Sequence, residues 1–117
     1  MSNFRGSCCD YIDNLAKIDV YTDRINAITK DKTKFYTQLA EEAAELSAIA
    51  SKKVRQLTGD ITEREDYYIN EKIIEETADV KNCLKILEDD IDFQKVAEIQ
   101  AIKMKRWLKR LTEPAEE

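Results

Sequence analysis

Turn-forming residues are nearly absent from this sequence: its 117 residues include two Gly and a single Pro, the latter three residues from the C-terminus. An all-β chain uses such residues at almost every hairpin, so a hairpin-built fold is excluded and helices are favoured. A composition of 43% hydrophobic and 37% charged residues is too apolar for a disordered tail and too charged for a membrane protein. It suits amphipathic helices around one core. The length is that of one small domain, expected to occupy residues 1–117.

Apolar periodicity divides the chain into four segments. Ser7 and Asp10 can cap a first helix over about residues 8–29, with Tyr11, Leu15, Ile18, Ile25 and Ile28 at helical spacing. Asp31 or Thr33 can cap a second, in which Phe35, Leu39, Leu46, Ile49 and Leu57 recur until Gly59 supplies a stop. A polar connection follows, in which Thr62 to Glu65 can cap a short turn with Tyr67 and Tyr68 at its end. The third helix is expected from near Asn70, carrying Ile73, Val80, Leu84 and Leu87 into the acidic run Glu88 to Asp92. Asp92 can cap a fourth helix with Phe93, Val96, Ile99 or Gln100, Met104, Trp107 and Leu111, before Pro114 forbids continuation. Trp107 is expected in the core, and residues 113–117 as a frayed tail. Short connections between four helices predict an all-α, antiparallel four-helix bundle.

Several functions are excluded by what the chain lacks. No apolar run approaches the roughly 18 residues of a membrane span, and the N-terminus does not read as a signal peptide, so a cytoplasmic protein without membrane contact is expected. The sequence has no His, and Cys8, Cys9 and Cys83 have no zinc-type spacing. They read as reduced thiols, with Cys83 buried on a helix. Without His, catalysis must rely on carboxylates, lysines or a metal. A net charge of −5 argues against binding a nucleic-acid duplex. Acids dominate from Glu41 to Asp92, whereas Lys95, Lys103, Lys105, Arg106, Lys109 and Arg110 make the last helix basic.

The most informative feature is a short internal repeat. Residues 41–46, Glu-Glu-Ala-Ala-Glu-Leu, and 75–80, Glu-Glu-Thr-Ala-Asp-Val, match in chemical type at every position. Helical spacing sets Glu42 beside Glu45 and Glu76 beside Asp79. Glu42 falls in the stripe of Leu39, Leu46 and Ile49, and Glu76 in that of Ile73, Val80 and Leu84, so both acids intrude on an apolar seam. Among Glu41, Glu42, Glu45, Glu75, Glu76 and Asp79, the only cation three or four residues away on the same helix is Lys72. Carboxylates withdrawn from water need a cation. An all-oxygen set selects a hard ion, Mg²⁺ or Mn²⁺. The alternative is a Lys of the same fold, such as Lys52, Lys53 or Lys103, in a salt-bridge network. Ala43, Ala44 and Ala78 are expected to keep the helix surfaces low beside the acids.

The pairs Glu42-x-x-Glu45 and Glu76-x-x-Asp79, each preceded by a further Glu, resemble the signature of the MazG-like, all-α nucleoside triphosphate pyrophosphohydrolases. The resemblance covers about residues 35–87, and the interval between the two halves is slightly longer than in many members. It implies a bundle of the all-α NTP pyrophosphatase type, working as a homodimer or homotetramer. It also implies an enzyme that hydrolyses a nucleoside triphosphate to the monophosphate and pyrophosphate. Glu42, Glu45, Glu76 and Asp79 would be Mg²⁺ ligands, and one of these or Glu41 or Glu75 would orient the attacking water. Lys52 and Lys53, two turns beyond Glu45, and Lys103, Arg106 and Arg110 on the last helix are candidate phosphate contacts. Tyr67, Tyr68 or Trp107 is a candidate to stack on a base. A competing expectation is a non-catalytic helical interaction module, its acidic seam holding a structural metal or a basic partner.

Overall fold

A computed structural model of the chain describes residues 8–59 and 65–113. It contains four α-helices, α1 (Cys8–Ile28), α2 (Lys32–Leu57), α3 (Asp66–Ile86) and α4 (Phe93–Thr112), and no strand among the described residues. The all-helical reading therefore holds. Ser7, Thr62 and Pro114, expected to cap or stop helices, lie outside the described residues.

Local chemistry sets the boundaries. Asp31, not Thr33, caps α2, its carboxylate accepting from the backbone N–H of Lys34 at 3.1 Å. Asp92 caps α4 in the same way through Lys95, also at 3.1 Å. At the far end of α2 the chain turns through Gly59, whose φ of +88° is a left-handed conformation that a side chain would strain.

The start of α3 differs from the expectation. The helix begins at Asp66, a full turn before Asn70, so Tyr67 and Tyr68 lie inside it and not in the connection. The reason is tertiary. The Asp66 carboxylate accepts a hydrogen bond from the Gln56 amide, one from Asn70 Nδ2 at 3.2 Å and a charge-assisted one from Lys53 Nζ at 3.5 Å. Lys53 also donates to Asn70 Oδ1 at 2.9 Å. Polar side chains near the end of α2 thus hold the first turn of α3. At its other end α3 stops at Ile86, before the acidic run.

The described chain forms two units, one reaching Leu87 and one from Glu88 onward. In the first, α2 and α3 pack antiparallel along most of their length, as contacts between Lys53 and Asp66 at one end and between Glu42 and Asp79 further along require. Helix α1 packs more lightly on α3, with Asp19 paired to Lys85 at 2.8 Å. The core is small: among the described residues the buried apolar side chains are Ile49, Ile69, Cys83 and Leu87, with Ile69 fully buried, and Thr22 of α1 is buried as well. The buried Thr22 hydroxyl donates to the Ile18 carbonyl at 2.7 Å, so α1 presents no unpaired polar group there. Cys9 is exposed and Cys83 buried, neither in a disulfide.

The second unit is α4. Its apolar residues, Trp107 included, are exposed. The expectation of Trp107 in a core is not met.

Candidate functional site

The site is assembled where the two copies of the repeat face each other on α2 and α3. Leu39, Leu46, Ile73, Val80 and Leu84 are half-buried along this seam and Ile49 is buried. The same packing carries Glu42 and Glu76 inward: Glu42 is half-buried and Glu76 keeps only 7% of its surface exposed. Apolar neighbours on either side draw the acids down, as their intrusion on the stripes implied. The alanines do not take part. Ala43, Ala44 and Ala78 are exposed, because residues one or two positions from an inward acid turn away from the seam.

Carboxylate oxygens of Glu42, Glu45 and Glu76 lie within 4.8 Å of one another. Asp79 adjoins this group through Glu42, its side chain within hydrogen-bonding reach of that carboxyl. Antiparallel packing therefore pairs the acids across the seam, Glu42 with Asp79 and Glu45 with Glu76. All four expected ligands come from two facing turns.

Electrostatics at this point are unrelieved. Burial, then the Asp79 and Glu45 charges, hold the Glu42 carboxyl above its ordinary value. Glu76 is likewise raised, chiefly by burial and then by its contact with Glu45. Lys72 opposes this only weakly: its ammonium is 4.0 Å from Glu76 Oε1 and closer to Glu75, at 3.6 Å. The other oxygen, Glu76 Oε2, is buried with no hydrogen-bond partner. A buried acceptor is rarely left unsatisfied. Three carboxylates within 4.8 Å of one another, with Asp79 beside them and one oxygen orphaned, are an all-oxygen donor set of the kind a hard divalent cation takes.

The remaining candidates separate into groups. Glu41 and Glu75 are exposed, one position round the helix from the inward acids. Lys52 stands over the Tyr68 ring, 5.6 Å from its centroid, in a cleft of about 350 Å³ that Glu45 and Glu76 also line. Arg55 and Lys72 complete the basic wall of that cleft. Lys53, by contrast, is committed to Asp66 and Asn70. Lys103, Arg106 and Arg110 run along one face of α4 with Val96, Gln100 and Trp107.

Arg55 was not singled out in the sequence, nor Lys72 as a cleft residue. Their signal is the antiparallel register, which becomes visible once the two acid pairs are matched across the seam. Comparison with family models, with curated proteins and with solved structures found no match.

Proposed function

We propose that Glu42, Glu45, Glu76 and Asp79 hold Mg²⁺, or Mn²⁺ in its place, and that the chain hydrolyses a nucleoside triphosphate to its monophosphate and pyrophosphate. The observation that carries the metal half is the buried, unpartnered Oε2 of Glu76 among three carboxylates within 4.8 Å. The nucleotide half rests on the resemblance of the paired motifs to the MazG-like enzymes, and is supported by the cationic cleft that opens directly onto Glu45 and Glu76.

When bound, the metal polarises phosphoryl oxygens and acidifies a water, which removes the need for a His base in a chain that has none. The protein's own groups do the rest. Two rigid helices fix four carboxylates before any ligand arrives, so little reorganisation is left for binding. Lys52, Arg55 and Lys72 draw the phosphate chain to the acids, with Arg55 able to engage two phosphate oxygens at once. Glu75 shares the Lys72 ammonium with Glu76, and Glu41 adds its charge to that felt by Glu42, so either exposed acid stands beside the cluster to orient water. Assembly into a homodimer or homotetramer belongs to the same proposal, since α1 leaves apolar residues of its packing stripe exposed.

A turnover screen over ribo-, deoxy- and modified triphosphates tests the proposal. Mg²⁺-dependent release of pyrophosphate is expected from at least one substrate. Glu42→Gln and Asp79→Asn should lower it by more than about 100-fold while the circular dichroism spectrum stays helical, because a lost ligand costs more than the 10–100-fold of an outer-shell change. Unchanged turnover in both variants contradicts the assignment. Stabilisation by metal alone, with no nucleotide effect, instead points to a structural ion.

A further inference from the structure

The acidic quartet has two flanks, and they differ in chemistry. On one side lies the cationic cleft of Lys52, Arg55 and Lys72. On the other, a second cleft of about 420 Å³ opens between α1, α2 and α3, with Tyr21, Phe35, Gln38, Asn82 and the buried Cys83 in its walls.

The second cleft adjoins the acids. Gln38 is one helical turn before Glu42 on α2, and Asn82 and Cys83 are one turn past Asp79 on α3. Burial, and then the nearby Glu42 and Asp79 charges, push the Cys83 thiol up. From Gln38 to Glu45 is two turns of α2, a rise of about 10 Å. A ligand lying along the seam therefore meets, in order, an aromatic and amide-lined cleft, the carboxylates and a row of cations.

We propose that the cleft between α1, α2 and α3 is the subsite for the heteroaromatic base of the nucleotide, with Gln38 and Asn82 reading its edge and Tyr21 and Phe35 flanking its plane. This assignment rests on the nucleotide reading of the acidic quartet. Its physical basis is complementary chemistry. A carboxamide sets an acceptor beside two donors, the pattern needed to pair with the mixed donor and acceptor edge of a base. Aromatic rings offer the faces on which a flat ring stacks. The cleft volume falls within the roughly 300–1,000 Å³ of small-molecule sites. No carboxylate is among its lining residues, and of its two cations, Lys34 and Lys85, the second is engaged by Asp19. The order of the flanks also fixes a direction: base toward the Gln38 end of α2, outer phosphates toward Lys52 and Arg55.

Two families of probe test it on the full chain with Mg²⁺ present: inorganic tripolyphosphate, and non-hydrolysable α,β-imido analogues of the common ribo- and deoxynucleoside triphosphates. At least one nucleotide should bind more tightly than tripolyphosphate. Gln38 and Asn82 are exposed, so Gln38→Leu and Asn82→Leu are expected to fold as the parent does. Each should weaken that nucleotide by about three- to tenfold, the worth of one hydrogen bond, and leave tripolyphosphate unchanged. Lys52→Ala should weaken both probes alike. If tripolyphosphate binds and no nucleotide binds more tightly, or if both amide variants leave the nucleotide unaffected, the base subsite is overturned while the metal and phosphate site stands. Failure of every probe to bind overturns the subsite and the nucleotide reading together.

Discussion

Glu76 joins burial, like-charged neighbours and an unpartnered carboxylate oxygen in one side chain. Its position three residues from Asp79 follows from the sequence, and so does its place in the stripe of Ile73, Val80 and Leu84. What the sequence does not contain is the orphaned oxygen, because that depends on which α2 residues face it and on how far Lys72 reaches. Proton linkage makes the consequence measurable. Glu42 and Glu76 both have folded-state affinities for protons raised above the ordinary value of 4.5. Such groups stabilise the fold at pH values below that of the unfolded chain, and the contribution is lost as pH rises through the raised values. The metal-free protein should therefore melt at progressively lower temperature as pH climbs from about 4.5 toward neutrality. Mg²⁺ should restore stability at the neutral end, where the carboxylates are free to bind it. Glu76→Gln, which removes a charge and supplies a donor, should raise the metal-free melting temperature at neutral pH and abolish the Mg²⁺ shift. Thermal melts with and without metal across that range check all three outcomes. A melting temperature that instead rises toward neutrality without metal contradicts the buried-acid account.

At the scale of elements, legibility followed from how local the determinants are. The caps at Asp31 and Asp92 depend on side chains three residues from the N–H they satisfy and the stop at Gly59 on its own backbone, so Asp92 and Gly59 were readable and Asp31 was one of two candidates. The start of α3 was not, because Asp66 is held by Gln56 and Lys53 from the preceding helix, and no periodicity encodes that. Nor was the outward turn of Ala43, Ala44 and Ala78: a repeat shows that positions correspond, without showing which positions face the partner. The base cleft was unreadable for a related reason, since Tyr21, Phe35, Gln38 and Asn82 come from three helices whose register the sequence leaves open. This dependence of α3 on tertiary contacts carries a prediction. Ile69, on the first turns of α3, has no exposed surface. Ile69→Ala should cost about 2–5 kcal/mol in denaturant unfolding, the range for removing a buried aliphatic side chain that leaves a cavity. A loss under about 1 kcal/mol would mean that this end of the seam is not packed as described.

For the molecule as a whole, apolar surface outweighs apolar core. Tyr11, Leu15, Ile18 and Ile25 share one stripe of α1 with the buried Thr22, yet each remains 38–59% exposed. An exposed apolar stripe of that continuity marks a surface suited to a partner. A second copy of the chain is the partner that the proposed homodimer or homotetramer supplies, and it would enlarge a core whose buried apolar residues, among those described, are Ile49, Ile69, Cys83 and Leu87. Sedimentation equilibrium should return a multiple of the 13.6 kDa chain mass. Leu15→Asp should shift the species toward monomer and lower its melting temperature. A parent that sediments as a monomer at every concentration removes the oligomeric part of the proposal and leaves the acidic site untouched. At this scale, as for residues 8–59 and 65–113 generally, no helix among the described residues is long and apolar enough to cross a membrane.

In the proposed function, four carboxylates on α2 and α3 would hold a divalent ion with which the chain cleaves a nucleotide between its α- and β-phosphates. Phosphorus NMR of product mixtures tests it most directly, using the full chain, Mg²⁺ and a panel of nucleoside triphosphates, with Glu76→Gln in parallel. Equal amounts of nucleoside monophosphate and pyrophosphate from at least one substrate, absent without Mg²⁺ and absent in Glu76→Gln, is the predicted result. Orthophosphate and nucleoside diphosphate as products, or no turnover anywhere in the panel, would contradict the claim.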